Sequence, residues 1–598
     1  MLITRVVLIL VLFVGGMASA DGAFKERIVI LGGGPTRIGL FLAHADGFDE
    51  RPLLPGPEVN YNPSFSADGK WIVFTSDRGG SADIYRVHPN GTGLQRLTDN
   101  PAFDDQGALS PNDSTLAFIS TRERGTANVW LLDLATHHAR NLTHSSGGNF
   151  RPSWSPDGKW IAFTSDRNQP LRRAGPGKAP PIGSGCCGWE LVQSTALYIV
   201  HPDGSGLRQL TPVNGFSGSP KWSADSKRIV YYEGVGDGGK GASQIVSIDI
   251  TNGTREVLTS GEGVKLSPQY FHDNVVGYLL QMSGKTSLAD TSGRKGPRGD
   301  MWTPSWSPNG QLVVYARPLA ELGTEPDPVI PAAGTDPAFT FYRTSTWISY
   351  SPDGRKLVFA PGNKLMMKVT GRPDLKELFR GAVISPTWSR DGHSIAFGFG
   401  RFFARNPVAP TQIALVHADG SGVKVLTQGD NSSGFPSFSP DGKQLVYRVL
   451  GQEHGLRIVS LESGAITKLT TEWDNFPAWS SRGDRILFTR RIAGNFEIFT
   501  IRPDGSDLRQ LTHDHGNDAH ALWAPDGRSI LFTSSRLGWR DEAMLYYTLG
   551  DRAPQSYGKL FIMRADGSGL RQVTDDPWEE MPAAWLPPAR AMSAVATH

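Results

Sequence analysis

Cysteine is almost absent from this chain: of 598 residues only Cys186 and Cys187 are cysteines, and they are adjacent. That excludes a disulfide framework and a multi-cysteine zinc or iron–sulfur centre. An excess of charge is missing too, with 60 Lys and Arg against 58 Asp and Glu and a formal net charge of +2. Without a global field, neither nucleic acid nor an anionic lipid surface is expected as a partner. After residue 20 no run approaches the roughly 18–20 apolar residues that cross a bilayer as a helix, so no stable membrane insertion is expected. No G-x-S-x-G elbow occurs, and the repeats described below continue to the last residues, so no catalytic serine of an α/β-hydrolase domain is expected.

What is present begins with "MLITRVVLILVLFVGGMASA", residues 1–20. Arg5 supplies a short cationic start, Val6 to Val14 an apolar core, and Ala18-Ser19-Ala20 a small-residue exit. This is the pattern of a secretory signal peptide, with a mature chain starting at Asp21 and a periplasmic or secreted location. The next stretch, "RIVILGGGPTRIG" from Arg27, imitates a dinucleotide fingerprint, with Gly32, Gly33 and Gly34 after a run of β-formers. The third fingerprint position is Arg37 and no βαβ unit follows, so the glycines are expected in a turn between strands.

Glycine (69), proline (42) and tryptophan (16) are plentiful, as suits many short strands joined by tight turns. They fall into an internal repeat. "PSFSADGKWIVFTSDR" starts at Pro63 and "PSWSPDGKWIAFTSDR" at Pro152. Related segments start at Pro220, Pro304, Ile348, Pro386, Pro436, Pro477 and Ala521, with weaker copies at Ala108 and Leu266. Most copies lie roughly 40 to 50 residues apart. In each, an aromatic-Ser pair ends one strand, Pro-Asp-Gly or a variant makes the turn, and alternating β-branched and aromatic residues form the next strand. A third strand follows, as in "ALYIVHPDGSGL" from Ala196, and a second Asp-Gly turn leads into a fourth such as "RQLT". Four antiparallel strands repeated with this period describe the blades of a propeller.

At these residues the chain resembles the TolB-like, WD40-like PD40 propeller repeats. The expected fold is therefore all-β, a β-propeller of about twelve four-stranded blades, arranged as two packed six-bladed propellers. The first group of blades is expected in 21–290 and the second in 291–598, with the boundary near 286–302. "MPAAWLPP" from Met581 reads as a lone first strand, and "RIVIL", "IGLFLAHADG" and "FDERPLLP" as second, third and fourth strands lacking a first. Residues 581–586 are thus expected to close onto 27–54, so that the N- and C-terminal strands share one blade. A single large ring, or a ring of seven or eight blades with extra repeats, is the alternative. The separate N-terminal α/β domain of TolB proteins has no counterpart before Pro63, which argues against membership of a Tol–Pal complex.

Insertions concentrate between second and third strands, at Asn168 to Ser194, Glu233 to Ser243, Gly400 to Thr411 and Leu537 to Lys559. Such connections emerge on one face of a propeller, which becomes the candidate binding face, with Cys186, Cys187, Trp189, Trp539 and Arg540 as its candidate residues. Cys186 and Cys187 could form a strained vicinal disulfide or remain free thiols. "THDHGNDAH" is a second cluster, in which His513, His515 and His520 could ligate a divalent metal. The sequons at Asn90, Asn112, Asn141, Asn252 and Asn431 read as turn chemistry.

The leading functional expectation is an exported, non-catalytic, TolB-like propeller that binds a protein, peptide or glycan on its insertion-bearing face and needs no cofactor. The rival is a metal-assisted carbohydrate lyase or hydrolase, resembling propeller-based oligogalacturonate lyases, with the three histidines as metal ligands and Asp518 or an arginine as base. A third reading is a structural module of a larger surface assembly.

Overall fold

The computed structural model describes residues 26–586 except short gaps and the longer stretches 168–194, 235–241, 321–326, 329–337, 401–409 and 537–557. The signal-peptide segment, Gly33 and Gly34 lie outside the described residues. Every named element among them is a β-strand, and the strands form twelve four-stranded sheets. All eleven repeats read from the sequence supply the first strand of a sheet, and Glu580–Trp585 supplies the twelfth. The strand Glu26–Gly32 is followed by another strand, Arg37–His44, not by a helix, so the glycine run serves no dinucleotide fold.

The recurring residues have recurring duties. At the first turn Ser66 Oγ donates to Asp68 Oδ1 at 2.8 Å, Asp68 accepts the Lys70 N–H at 3.0 Å, and Ser66 Oγ accepts the Trp71 N–H at 3.0 Å. Gly69 takes the left-handed conformation (φ 71°) that closes this turn without a Cβ clash. The same Ser-to-Asp bond recurs at Ser155–Asp157 and Ser223–Asp225 (both 2.6 Å) and in later blades. Four of the five sequons are Asx turns: the N–H groups of Thr92, Ser114, Thr143 and Thr254 donate to Asn90, Asn112, Asn141 and Asn252.

The arginine that ends "SDR", "STR" or "SSR" is a clamp. It reaches from the end of the second strand to the first residue of the inner strand, which is Asn or Asp. Arg78 donates to Asn60 at 2.8 Å, Arg122 to Asp104 at 2.7 Å, and Arg536 to Asp518 at 2.6 Å. Its guanidinium also lies over aromatic rings of the second and third strands, at 5.2 Å from Phe118 and 4.9 Å from Trp130 for Arg122. Asp104 is wholly buried, and burial pushes its pKa up to about 6 in spite of the Arg122 charge.

Inner-strand contacts run in two closed cycles. The first joins Asn60–Phe65, Asp104–Leu109, Asn149–Trp154, Ser217–Trp222, Val264–Phe271 and Trp302–Trp306, and the last of these touches the first. The second joins Ile348–Tyr350, Val383–Trp388, Ser432–Phe438, Asp474–Trp479, Asp518–Trp523 and Glu580–Trp585, again returning to its start. These cycles define a first and a second ring.

Closure differs from the expectation for 27–54 in one respect. Glu26–Gly32 does pair antiparallel with Glu580–Trp585, but its other neighbour is Phe339–Thr344, in parallel, with Asp327–Pro328 at the sheet edge. Arg37–His44 joins the first ring instead, pairing with Leu312–Ala320 and with Arg51–Pro52. The expected single blade is therefore divided between the rings, and Trp302–Trp306 with Leu312–Ala320 belongs to the first ring, so the change-over follows Ala320 and not residue 290. The reason lies after Ala320, where "ELGTEPDPVIPAAGTDP" holds four prolines that cannot donate to a sheet ladder. In the Pro304 sheet the place beside Leu312–Ala320 is filled by the N-terminal strand Arg37–His44. Glu50 seals the joint, bonding the Arg317 guanidinium at 2.7 Å and accepting the Tyr315 hydroxyl, while Arg317 lies 3.9 Å from the Phe41 ring centroid.

Two measurements follow. Ile28 and Leu40 are fully buried, one in each ring, so Ile28→Ala and Leu40→Ala should each lower urea stability by about 2–5 kcal/mol; losses under about 0.5 kcal/mol would mean that these strands do not seal the rings. Arg122→Ala strands the buried Asp104 and should cost about 3–5 kcal/mol, whereas Asp104→Asn, which copies the Asn60 and Asn149 clamps, should stay within about 1 kcal/mol at pH 7.

Candidate functional site

Ten of the inner strands carry one residue in the left-handed region, at Asn62, Gln106, Arg151, Ser219, Ser267 and Thr303 in the first ring and at Ser385, Phe435, Phe476 and His520 in the second. At each of these sites the ladder to the second strand shifts register, as between Tyr61 and Ser64 or between Phe150 and Ser153. A bulge of this kind re-aims a side chain. Proline commonly comes next, where the broken ladder does not ask for its missing N–H. The six first-ring residues meet in one cavity of about 60 Å³ to which all six inner strands contribute.

The first-ring channel is lined by five prolines, Gly107 and nine polar or charged residues, Arg151 and Lys221 among them. A chain of hydrogen bonds organises it. Buried Asp105 accepts both contacts of the Asn62 Nδ2 at 2.9 Å, the Thr75 hydroxyl at 2.5 Å and the Gln106 N–H at 2.6 Å. Asn62, oriented in this way, turns its Oδ1 to the Arg151 guanidinium at 2.9 Å. Gln106 Oε1 accepts the Arg151 N–H at 2.7 Å, and the Ser64 hydroxyl donates to the Gly107 carbonyl at 2.7 Å.

Aromatic rings occupy the second-ring channel. Trp347 meets Phe435 edge-on at 5.8 Å, Phe435 meets Phe476 at 4.6 Å, and Phe476 meets His520 at 4.2 Å. Ile384 and Leu450 pack against the same group. Burial alone holds His520 far below the usual imidazole range, at about 3, so the ring is neutral across physiological pH.

The expected site residues fare unevenly. Cys186, Cys187, Trp189, Trp539, Arg540 and His515 lie outside the described residues. His513 is exposed in the connection before the inner strand, whereas His520 is buried inside the channel against Phe476. Among the described residues no three His, Cys, Asp or Glu side chains are grouped to hold a metal. Asp518, the candidate base, is the buried partner of the Arg536 clamp, a structural duty shared with Asp104 and Asp474. The sequence reasoning missed Asn62, Arg151 and Lys221. Their signal was the position beside the repeated proline, which varies from blade to blade (Asn-Pro-Ser, Arg-Pro-Ser, Ser-Pro-Lys) while the rest of the motif persists.

Comparison with known proteins bears on the repeats. The family described as TolB beta propeller domain, PD40, matches residues 402–547. Over 172 residues the chain is 28% identical to a Protein TolB homolog of Chlorobium luteolum, covering 28% of this chain and 39% of that protein. It is 24% identical over 223 residues to the uncharacterized peptidase YuxL of Bacillus subtilis, covering 36% of this chain and 29% of that one. The chain thus spans less than half the length of these curated relatives. Among solved structures, a putative TolB from Agrobacterium tumefaciens aligns with 40% of this chain and 90% of its own, at 21% identity and a TM-score of 0.33.

The filled channel makes a pH prediction. Unfolding returns His520 to about 6.5, so below that pH the unfolded chain gains a proton that the folded one refuses. Stability from this group is complete above about 6.5 and falls on acidification toward about 3, by up to about 1.4 kcal/mol per pH unit. Denaturant titrations between pH 6.5 and 4 should show a His520→Gln variant with a slope lower by about one proton; equal slopes would show that His520 does not titrate in this way.

Proposed function

Because the chain carries TolB-like PD40 propeller repeats, we propose that it is an exported binding propeller that receives a protein or peptide partner at the mouth of the first-ring channel. One observation carries this reading: of two channels built on the same inner-strand bulge, one holds the stacked rings of Trp347, Phe435 and Phe476, and the other is left hollow with Arg151 and Lys221 among its lining. Stability is served by filling both, since interiors gain from dense packing. An unfilled channel with converging polar groups is the arrangement of a binding site.

Two further features support the reading. The insertions 168–194 and 235–241 fall, in sequence, inside the two blades that supply Arg151 and Lys221, so the partner is expected to meet both the channel mouth and the insertion-bearing face, where Cys186, Cys187 and Trp189 belong. Residues 1–20 direct the chain to the periplasm or beyond. The match to part of the peptidase YuxL falls on a chain whose described residues are all propeller, and propellers host many functions.

Export predicts a mature protein whose first residue by mass spectrometry is Asp21; retention of Met1–Ala20 in a cytoplasmic product would reject it. Binding at the channel predicts that a photo-crosslinking residue at Ser219 traps a discrete protein or peptide in envelope extracts, while the same probe at exposed Leu207 on the outer edge does not. Equal trapping at both sites, or none, would reject the channel as the binding site.

A further inference from the structure

We propose that the N-terminal segment 26–44 is a two-ended clasp through which the two rings open and close as one unit. Its strands, "ERIVILG" and "RIGLFLAH", are rich in consecutive apolar residues, the pattern of strands buried on both faces. Each is wedged between two blades. Ile28 and Ile30 of the first strand pack with Leu531 and Leu560 of the Ala521 blade, while Val29 between them packs with Leu357 and Phe359 of the Ile348 blade. Leu40 and Leu42 of the second strand pack with Tyr61 and Phe74 of the Pro63 blade, while Phe41 and Ala43 pack with Leu266 and Leu279 of the Leu266 blade. Ile28, Val29, Ile30 and Leu40 are 0% exposed. Withdrawing either strand therefore uncovers apolar surface on two neighbouring blades at once.

The coupling comes from the shortness of the connection. Only residues 33–36 separate Gly32 from Arg37, and five consecutive Cα steps cannot span more than about 18 Å. Once one strand is docked, the other is held within that distance of its own slot, at an effective concentration of millimolar or more. The partners in the slots are far away in sequence: Ile30 lies opposite Arg343 and Pro582, and Leu40 opposite Ala316. Glu26–Gly32 also runs parallel to Phe339–Thr344, a pairing that no hairpin supplies. The loop-closure entropy of reaching such distant partners is thus incurred once for both rings while the clasp is intact. Releasing one strand restores that cost for the other, so a change that loosens one ring is felt in the slot of its neighbour.

The test is amide hydrogen exchange on the full-length protein, read by mass spectrometry at Leu312–Ala320 in the first ring and at Phe339–Thr344 beside the second-ring slot. Leu40→Ala should speed exchange at Phe339–Thr344 as well as at Leu312–Ala320, and Ile28→Ala should speed it at Leu312–Ala320 as well as at Phe339–Thr344. Inserting about twenty Gly and Ser residues between Gly33 and Gly34 lengthens the connection roughly sixfold and lowers the effective concentration by about fifteenfold. In that background the cross-ring effects should shrink by at least about fivefold, while the effect within the substituted ring persists. Leu40→Val and Ile28→Val carry the same comparison if the alanine variants do not fold. Exchange at Phe339–Thr344 that is indifferent to a substitution at Leu40 would overturn the clasp. Cross-ring effects that survive the insertion undiminished would overturn it too, since the coupling would then run through other contacts between the rings.

Discussion

Every ring of blades must bring its first and last sheets together or leave two strand edges open, and here one N-terminal segment does this for both rings. Glu26–Gly32 sits between Glu580–Trp585 and Phe339–Thr344, while Arg37–His44 sits between Leu312–Ala320 and Arg51–Pro52. The two strands are adjacent in sequence and divided in space between the rings. A bare strand edge is a template for aggregation, so the chain gains from committing these strands to the sheets. The price is long-range order: Tyr315 meets Glu50 across 265 residues of sequence. Contacts of such separation are slow to form, so neither ring can be sealed without its N-terminal strand.

Inside the sealed rings, the inner-strand bulge decides what each channel is for. A left-handed residue in an antiparallel strand breaks the ladder for one position and points its side chain away from the two faces on which blades pack. The surroundings are then free to vary without disturbing the blade. One ring uses this freedom to stack Phe435, Phe476 and His520 into a plug. The other uses it for Asn62, Arg151 and their hydrogen-bonded neighbours. The same backbone device yields a centre of stacked rings in one case and a hollow centre with charged residues in its lining in the other.

This division explains what could be read in advance. The blade was legible because its turn staple and its arginine clamp require particular residues at fixed spacing: Ser and Asp two apart at Ser66 and Asp68, and an arginine eighteen residues after the Asn or Asp that it holds, as with Arg78 and Asn60. The terminal closure was legible only in part. The lone strand near Met581 and the unattached "RIVIL" showed that partners were missing, but not that Arg37–His44 would leave for another sheet, because strand partnership across hundreds of residues has no local signature. The channel residues were hidden for the opposite reason. A search for repeats rewards what recurs, whereas Arg151 and Lys221 occupy positions that the repeat leaves free. His520 misled in a related way: in sequence it sits in a dense His and Asp cluster, yet the strand that begins at Asp518 turns it inward, away from exposed His513.

Net charge is therefore the wrong scale on which to judge what this protein can attract. A formal charge of +2 spread over 598 residues has no reach. Arg151 and Lys221 act differently because they stand together in a narrow channel walled by strands, where the effective dielectric constant is far below that of water and a charge is felt strongly over a few ångströms. Burying cations in such a place is unfavourable unless something compensates them. Asp105, reaching through Asn62, supplies such compensation for Arg151. The hydrogen-bonded chain from Asp105 through Asn62 to Arg151 fixes where one of those charges stands, so the chemistry of the channel is set by a few placed groups and not by the sum over the chain.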